Sequence, residues 1–138
     1  MAVYILIMRK LFKSVFTISV IAFALSSCGG SGPKQALDKY MTAVKDKDYE
    51  AVVDGMYFKD GLTDSQKNFY VAALEEKASK AETANGKVSD YKITGDSIIV
   101  PDSLAVVYFE TIYENGKVEQ DEQKMIYSDG EWKMYTSK

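Results

Sequence analysis

The chain has 138 residues, 46% of them hydrophobic, with 20 acidic and 17 basic side chains, no histidine and one cysteine, Cys28. Three of the basic residues, Arg9, Lys10 and Lys13, lie in the first 27 positions, which leaves 14 lysines against 20 acids, and neither arginine nor histidine, in the rest. That inventory excludes Ser-His-Asp and Cys-His catalysis, His- or Cys-ligated zinc and disulfide staples, and an acidic surface without a basic stripe ranks nucleic acid last among partners.

Arg9, Lys10 and Lys13 are followed by Val15 to Leu25, an uncharged apolar stretch. This is the layout of a secretory signal, and the stretch is shorter than the roughly 20 residues a spanning helix needs. Met1 to Ile7 is also apolar and lies ahead of the positive residues, which points to Met8 as the true start. The run Leu25-Ser26-Ser27-Cys28 resembles the lipobox of bacterial lipoproteins, with Ser27 where Gly or Ala is commoner. The resemblance implies that residues 1–27 are cleaved off and that Cys28 is diacylated on sulfur and usually acylated again on nitrogen. At ~0.8 kcal/mol per buried methylene, two or three chains hold a membrane far more firmly than one.

Residues 28–32 then form the lipidated cysteine and a short tether, Gly29-Gly30-Ser31-Gly32, reaching at most roughly 15 to 20 Å from the lipid. No acidic residue follows the cysteine, so the expected location is the cell envelope, on the outer membrane facing the periplasm. Positions 33–138 suffice for one small domain with one core.

Pro33 suits a first helical position, and Ala36, Leu37, Tyr40, Met41 and Val44 recur on one helical face. Asp48 reads as the N-cap of a second helix carrying Tyr49, Val52, Val53, Met56 and Tyr57. Thr63-Asp64-Ser65-Gln66 has the form of a capping box and opens the longest helix, to about Ala84, with Phe69, Tyr70, Ala73, Leu74, Ala78 and Ala81 expected on one face and Asn85-Gly86 as its stop. From Val88 the period changes to two and the composition to Val, Ile, Tyr and Thr. Tyr91 and Ile93 precede a break at Gly95-Asp96, Ile98 to Val100 is a short piece, and Leu104 to Tyr113 is a long strand. Asn115-Gly116 turns the chain into Val118 to Tyr127, and Asp129-Gly130 turns it into Glu131 to Thr136. Three helices followed by an antiparallel meander predict an α+β fold, with the helices packed on a curved sheet.

Three segments carry a family resemblance: Ala36-x-x-x-Tyr40-Met41-x-Ala43-Val44, Lys47-Asp48-Tyr49-Glu50-Ala51 and Tyr127-Ser128-Asp129-Gly130-Glu131-Trp132-Lys133-Met134. With them residues 33–138 resemble the nuclear transport factor 2-like superfamily, the cystatin-like α+β cone, and in particular its small bacterial lipoprotein domains of unknown function. The resemblance implies a pocket between helices and sheet, suited to an apolar ligand. The side chains expected around it are Tyr40, Tyr57, Tyr70, Tyr108 and Glu110. Tyr108 and Glu110 share a strand face with Val106 and Ile112, so Glu110 is an acid on an otherwise apolar face. It is either half of a tyrosine and carboxyl pair for proton transfer or a residue near the strand's exposed end.

Trp132 and Met134 share one face of the last strand and read as core anchors. Glu119-Gln120-Asp121-Glu122-Gln123 is polar on both faces and lacks the spacing of a calcium loop. No catalytic residue, metal ligand or cofactor motif stands out. The expected function is a lipid-anchored periplasmic binding or interaction module without catalytic activity, held to the membrane by acyl chains and open to a homodimer through the sheet, a small apolar ligand or an envelope protein. A small enzyme using Glu110 or Asp48 with tyrosines, and a structural envelope lipoprotein, are the alternatives.

Overall fold

A computed structural model describes residues 32–136. Arg9, Lys10, Lys13, Cys28 and the first residues of the tether lie outside them. The described chain runs α1 (Pro33–Lys45), α2 (Tyr49–Asp54), α3 (Asp64–Asn85), then β1 (Val88–Val100), β2 (Leu104–Tyr113), β3 (Val118–Ser128) and β4 (Glu131–Met134). The strands form one antiparallel sheet in sequence order, β1-β2-β3-β4.

Local chemistry sets the helix ends. Pro33 occupies the first turn of α1, where its missing N–H costs nothing. Asp48 Oδ1 accepts from the Ala51 N–H at 3.1 Å and caps α2. At α3 the capping box is complete, with the Gln66 N–H donating to Thr63 Oγ1 at 3.3 Å and the Thr63 N–H donating to Gln66 Oε1 at 2.9 Å.

α2 is shorter than its apolar spacing predicts, because the chain leaves the helix at Gly55 to pair with the sheet. Met134 N–H donates to the Gly55 carbonyl at 2.7 Å, and Tyr57 N–H donates to the Met134 carbonyl at 2.8 Å. Met56 thus lies parallel to Met134 at the β4 edge, where ladder hydrogen bonds outweigh one more helical turn. Gly95 does not break β1 either. It sits opposite Tyr108 after a register shift between Ile93 and Gly95, so the strand bends and continues.

The core lies between α1 and one face of the sheet. Ala36, Leu37, Tyr40, Val52, Ala105, Val107, Phe109, Met125, Trp132 and Met134 are its buried members. On β2 the odd-numbered residues therefore face the helices and the even-numbered ones face away. α3 packs mainly on α2, and of its residues Leu74 reaches the core. Lys67 sets its rotation, with Nζ 2.8 Å from Asp54 Oδ1 and 3.1 Å from Glu50 Oε1. This turns Lys67, Tyr70, Val71 and Leu74 inward and leaves Ala73 and Ala81 exposed and Phe69 70% exposed, a correction to the expected face. Phe69 to Leu74 is six consecutive apolar or aromatic residues, so periodicity alone could not choose a side.

Candidate functional site

Three places could carry function: the space between helices and sheet, the groove between α2 and α3, and the outer face of the sheet. Between α1 and the sheet the first is occupied by buried core side chains. Trp132 is 8% exposed and Tyr40 7%, and the Tyr40 hydroxyl crosses the core to donate to the Trp132 carbonyl at 2.9 Å. Burial, with a smaller contribution from the Glu131 charge, raises the Tyr40 pKa, so the phenol stays a donor. Tyr57 packs against Tyr135 with ring centroids 6.0 Å apart, and Tyr70 against Phe58 at 4.9 Å. These two rings anchor the β4 edge and the root of α3.

Tyr108 and Glu110 are not in that space. Both point to the outer face, since Val107 and Phe109 face the helices. Tyr108 is 41% exposed between Gly95 and Glu122, and Glu110 lies half-exposed between Lys92 and Gln120, accepting from Gln120 Nε2 at 3.4 Å. The five side chains expected around one pocket are therefore spread over the core, the β4 edge, α3 and the far side of the sheet. Both faces of β2 are apolar, so alternation gave the correct pairing of Tyr108 with Glu110 but could not tell inside from outside.

A tyrosine and carboxyl pair does exist, at a place the sequence reading did not single out. Tyr113 Oη donates to Glu119 Oε2 at 2.8 Å, while Lys117 Nζ lies 2.6 Å from Glu119 Oε1 and 5.7 Å from the centroid of the Tyr113 ring. The Glu119 acceptor and burial push the Tyr113 pKa up to about 12, and Lys117 with Tyr113 holds the Glu119 carboxyl below the usual range. Such a pair keeps its proton on the phenol and its charge on the carboxylate throughout the neutral range. It clips the β2–β3 hairpin. The signal was legible only in retrospect, as an acid six residues after a tyrosine across an Asn-Gly turn.

The groove between α2 and α3 has a volume of about 470 Å³, with Asp48, Glu50, Glu75 and Glu82 on its walls beside Lys47 and Tyr49. Asp48 is committed to its helix cap, Glu50 to Lys67, and Glu82 faces Lys47 at 3.8 Å. Among the described residues no group of three or more acids or other ligand side chains is gathered to hold a metal ion.

The outer sheet face has an apolar row along β2: Leu104, Val106, Tyr108 and Ile112, of which Val106 is buried, Leu104 and Ile112 are partly exposed and Tyr108 is exposed. Cross-strand neighbours extend it with Val100 and Ile126 at one end and Val118 at the other. Glu110 interrupts it between Tyr108 and Ile112, and Lys92, Lys124 and Glu122 on the neighbouring strands flank it. No helix among the described residues is long and apolar enough to cross a membrane.

Comparison with known proteins places this architecture. A crystal structure of a Campylobacter jejuni protein described as an NTF2-like transpeptidase is similar at 18% identity and a TM-score of 0.60, covering 78% of this chain and 100% of that one. A solution structure of a SEC-C motif containing protein from Rhodopseudomonas palustris is more distant, at 13% identity and a TM-score of 0.44 over 69% of this chain and 68% of that one. No curated protein matches the chain. The fold is thus α+β and nuclear transport factor 2-like (NTF2-like), as the helix and strand segments imply. Residues 26–135 match a family directly. The chain belongs to the family described as Domain of unknown function (DUF4878), built on an NTF2-like fold.

Proposed function

We propose that the protein is a lipid-anchored, non-catalytic interaction module of the bacterial cell envelope, attached through Cys28 to the periplasmic face of the outer membrane and working through the outer face of its sheet. The observation that carries this reading is the buried side-chain cluster between α1 and the sheet. Tyr40, Phe109, Met125 and Trp132 occupy the space where the fold could hold a ligand, so recognition falls to surfaces. The anchor is supported by the basic residues, the apolar run and the lipobox-like Leu25-Ser26-Ser27-Cys28, and the family match runs from residue 26 and so includes the cysteine.

The occupant of the outer face is a second copy of the chain. Its central row is apolar apart from Glu110, with Tyr108 41% and Val118 51% exposed. The face carries charges of both signs, Lys92 and Lys124 together with Glu110 and Glu122, and mixed charge of this kind suits a self-complementary interface. Sedimentation velocity of the full-length chain in mild detergent, at micromolar concentration, is the test. Tyr108→Lys is expected to convert dimer to monomer with unchanged circular dichroism. A parent that sediments as a monomer, or a Tyr108→Lys variant as dimeric as the parent, would contradict it.

A further inference from the structure

The two ends of the sheet differ in chemistry. At one end the β2–β3 turn is Glu114-Asn115-Gly116-Lys117, polar throughout, as turns in water usually are. At the other, the β1–β2 hairpin ends in Ile98-Ile99-Val100-Pro101. Ile98 is 49% exposed, Ile99 54% and Val100 46%, and Tyr127, whose N–H donates to the Ser103 carbonyl at 2.9 Å, adds a ring that is 43% exposed. Ile98, Ile99 and Val100 sit at the tip of the edge strand β1, where exposed apolar side chains are an association hazard unless something covers them.

The root of the tether is at this same end. α1 runs antiparallel to β1, with Lys45 Nζ 3.0 Å from Asp90 Oδ1 at the far end and Lys34 Nζ 3.5 Å from Asp96 Oδ1 at the near end. Gly32 is two residues before Lys34, and Ile99 three residues beyond Asp96, so the tip extends only ~10 Å past the ion pair. Cys28 is four residues before Gly32, within ~14 Å of it even when fully extended. The charges near the tip argue for lipid chemistry of one kind. Asp102 and Asp129 in the two turns at this end do not favour an anionic surface, and the basic Lys34 is already paired with Asp96. What is left is apolar contact.

From this we infer that the Ile98-Ile99-Val100 tip, with Tyr127 beside it, is a second membrane contact that dips into the headgroup and acyl boundary of a zwitterionic leaflet and fixes the orientation of the anchored domain. The inference rests on the lipid-anchor reading of Cys28. Amphipathic and apolar elements of this kind enter that boundary by ~5–10 Å. The acyl chains supply the holding energy and the tip removes the rotational freedom a glycine tether leaves. The outer sheet face then stands beside the membrane at a fixed height, available to a second copy anchored in the same leaflet.

The test uses the full processed protein, extracted from membranes and reconstituted into phosphatidylcholine vesicles, with intact mass measured first. Acylated Cys28 leaves no free thiol in a chain with one cysteine, so Ile99→Cys and Val100→Cys each introduce a unique site for an environment-sensitive fluorophore. Asn115→Cys, at the polar end, is the control. The expected result is a blue-shifted emission at positions 99 and 100, with quenching by lipid-borne quenchers at least about threefold stronger than at position 115. An acylated protein whose label at 99 and 100 is quenched by aqueous iodide as readily as at 115 overturns the inference and leaves the anchor standing. So does a label shielded from both quenchers, which would mean that protein covers the tip. A bare thiol in the intact mass overturns the anchor, and the inference falls with it.

Discussion

Trp132→Ala is expected to cost about 3–5 kcal/mol of folding stability, the range for deleting a large buried aromatic side chain. The ring is 8% exposed on the inner face of β4, with Tyr127 at 5.4 Å between centroids and Tyr40 bonded to its carbonyl. Trp132 shares this core with Tyr40 and Phe109, and with Tyr40 held by its hydrogen bond the neighbouring groups can collapse only partly into the void. Domains this small rarely exceed 5–15 kcal/mol in total, so the variant should lie close to its unfolding threshold. In thermal denaturation the midpoint should fall by about 12–40 °C, at roughly 4–8 °C per kcal/mol. Trp132→Phe, which keeps an aromatic ring, should lose far less. A loss below about 1 kcal/mol for Trp132→Ala would show that Trp132 is not the core's anchor.

Gly55→Ala is expected to be nearly as damaging, although it adds one methyl group. A Cβ built on Gly55 falls well inside van der Waals contact with Cδ1, Cε1 and Cζ of Tyr40. Neither side can yield freely. The Tyr40 ring is held by its bond to the Trp132 carbonyl, and the Gly55 carbonyl accepts from the Met134 N–H, so moving either pulls on β4. Overpacking typically costs 1–3 kcal/mol, and with both partners pinned the expected loss is about 3 kcal/mol. Denaturant titration checks it, and a double-mutant cycle with Tyr40→Leu should recover about 1 kcal/mol or more if the clash with the ring is the cause. A Gly55→Ala variant within about 0.5 kcal/mol of the parent would mean that the backbone relaxes at no cost.

Helix starts were legible because caps are local. Asp48, and Thr63 with Gln66, satisfy orphan N–H groups within four residues of themselves, so no knowledge of the rest of the fold is needed to place them. The strands were legible from their period, and the two turns at Asn115-Gly116 and Asp129-Gly130 from residues that tolerate positive φ: Asp129 at 54°, Gly116 at 86° and Gly130 at 80°. Gly55 was the position least visible from the sequence. Its role depends on Tyr40 and Met134, residues 15 positions before it and 79 after it, and nothing nearby marks it.

The candidate site was less legible than the fold for a related reason. Val106, Tyr108 and Ile112 are as apolar as Ala105, Val107 and Phe109, so β2 carries the pattern of a strand buried on both faces. Which face meets the helices is decided by α1, through Leu37 and Tyr40, and by the register that sets Met125 and Met134 beside Ala105. A face of this composition left outside the core is what the proposed function and the dimer test rest on. The sequence showed its residues and their shared side; it could not show that the side is external.

The central claim is that a lipid on Cys28 fastens this domain to a membrane. Intact-mass spectrometry of the protein purified from a bacterial membrane fraction tests it most directly. The expected product is a chain that begins at Cys28 and carries the added mass of two or three acyl groups. A chain that retains residues before Cys28, or begins there with the unmodified cysteine mass, would contradict it.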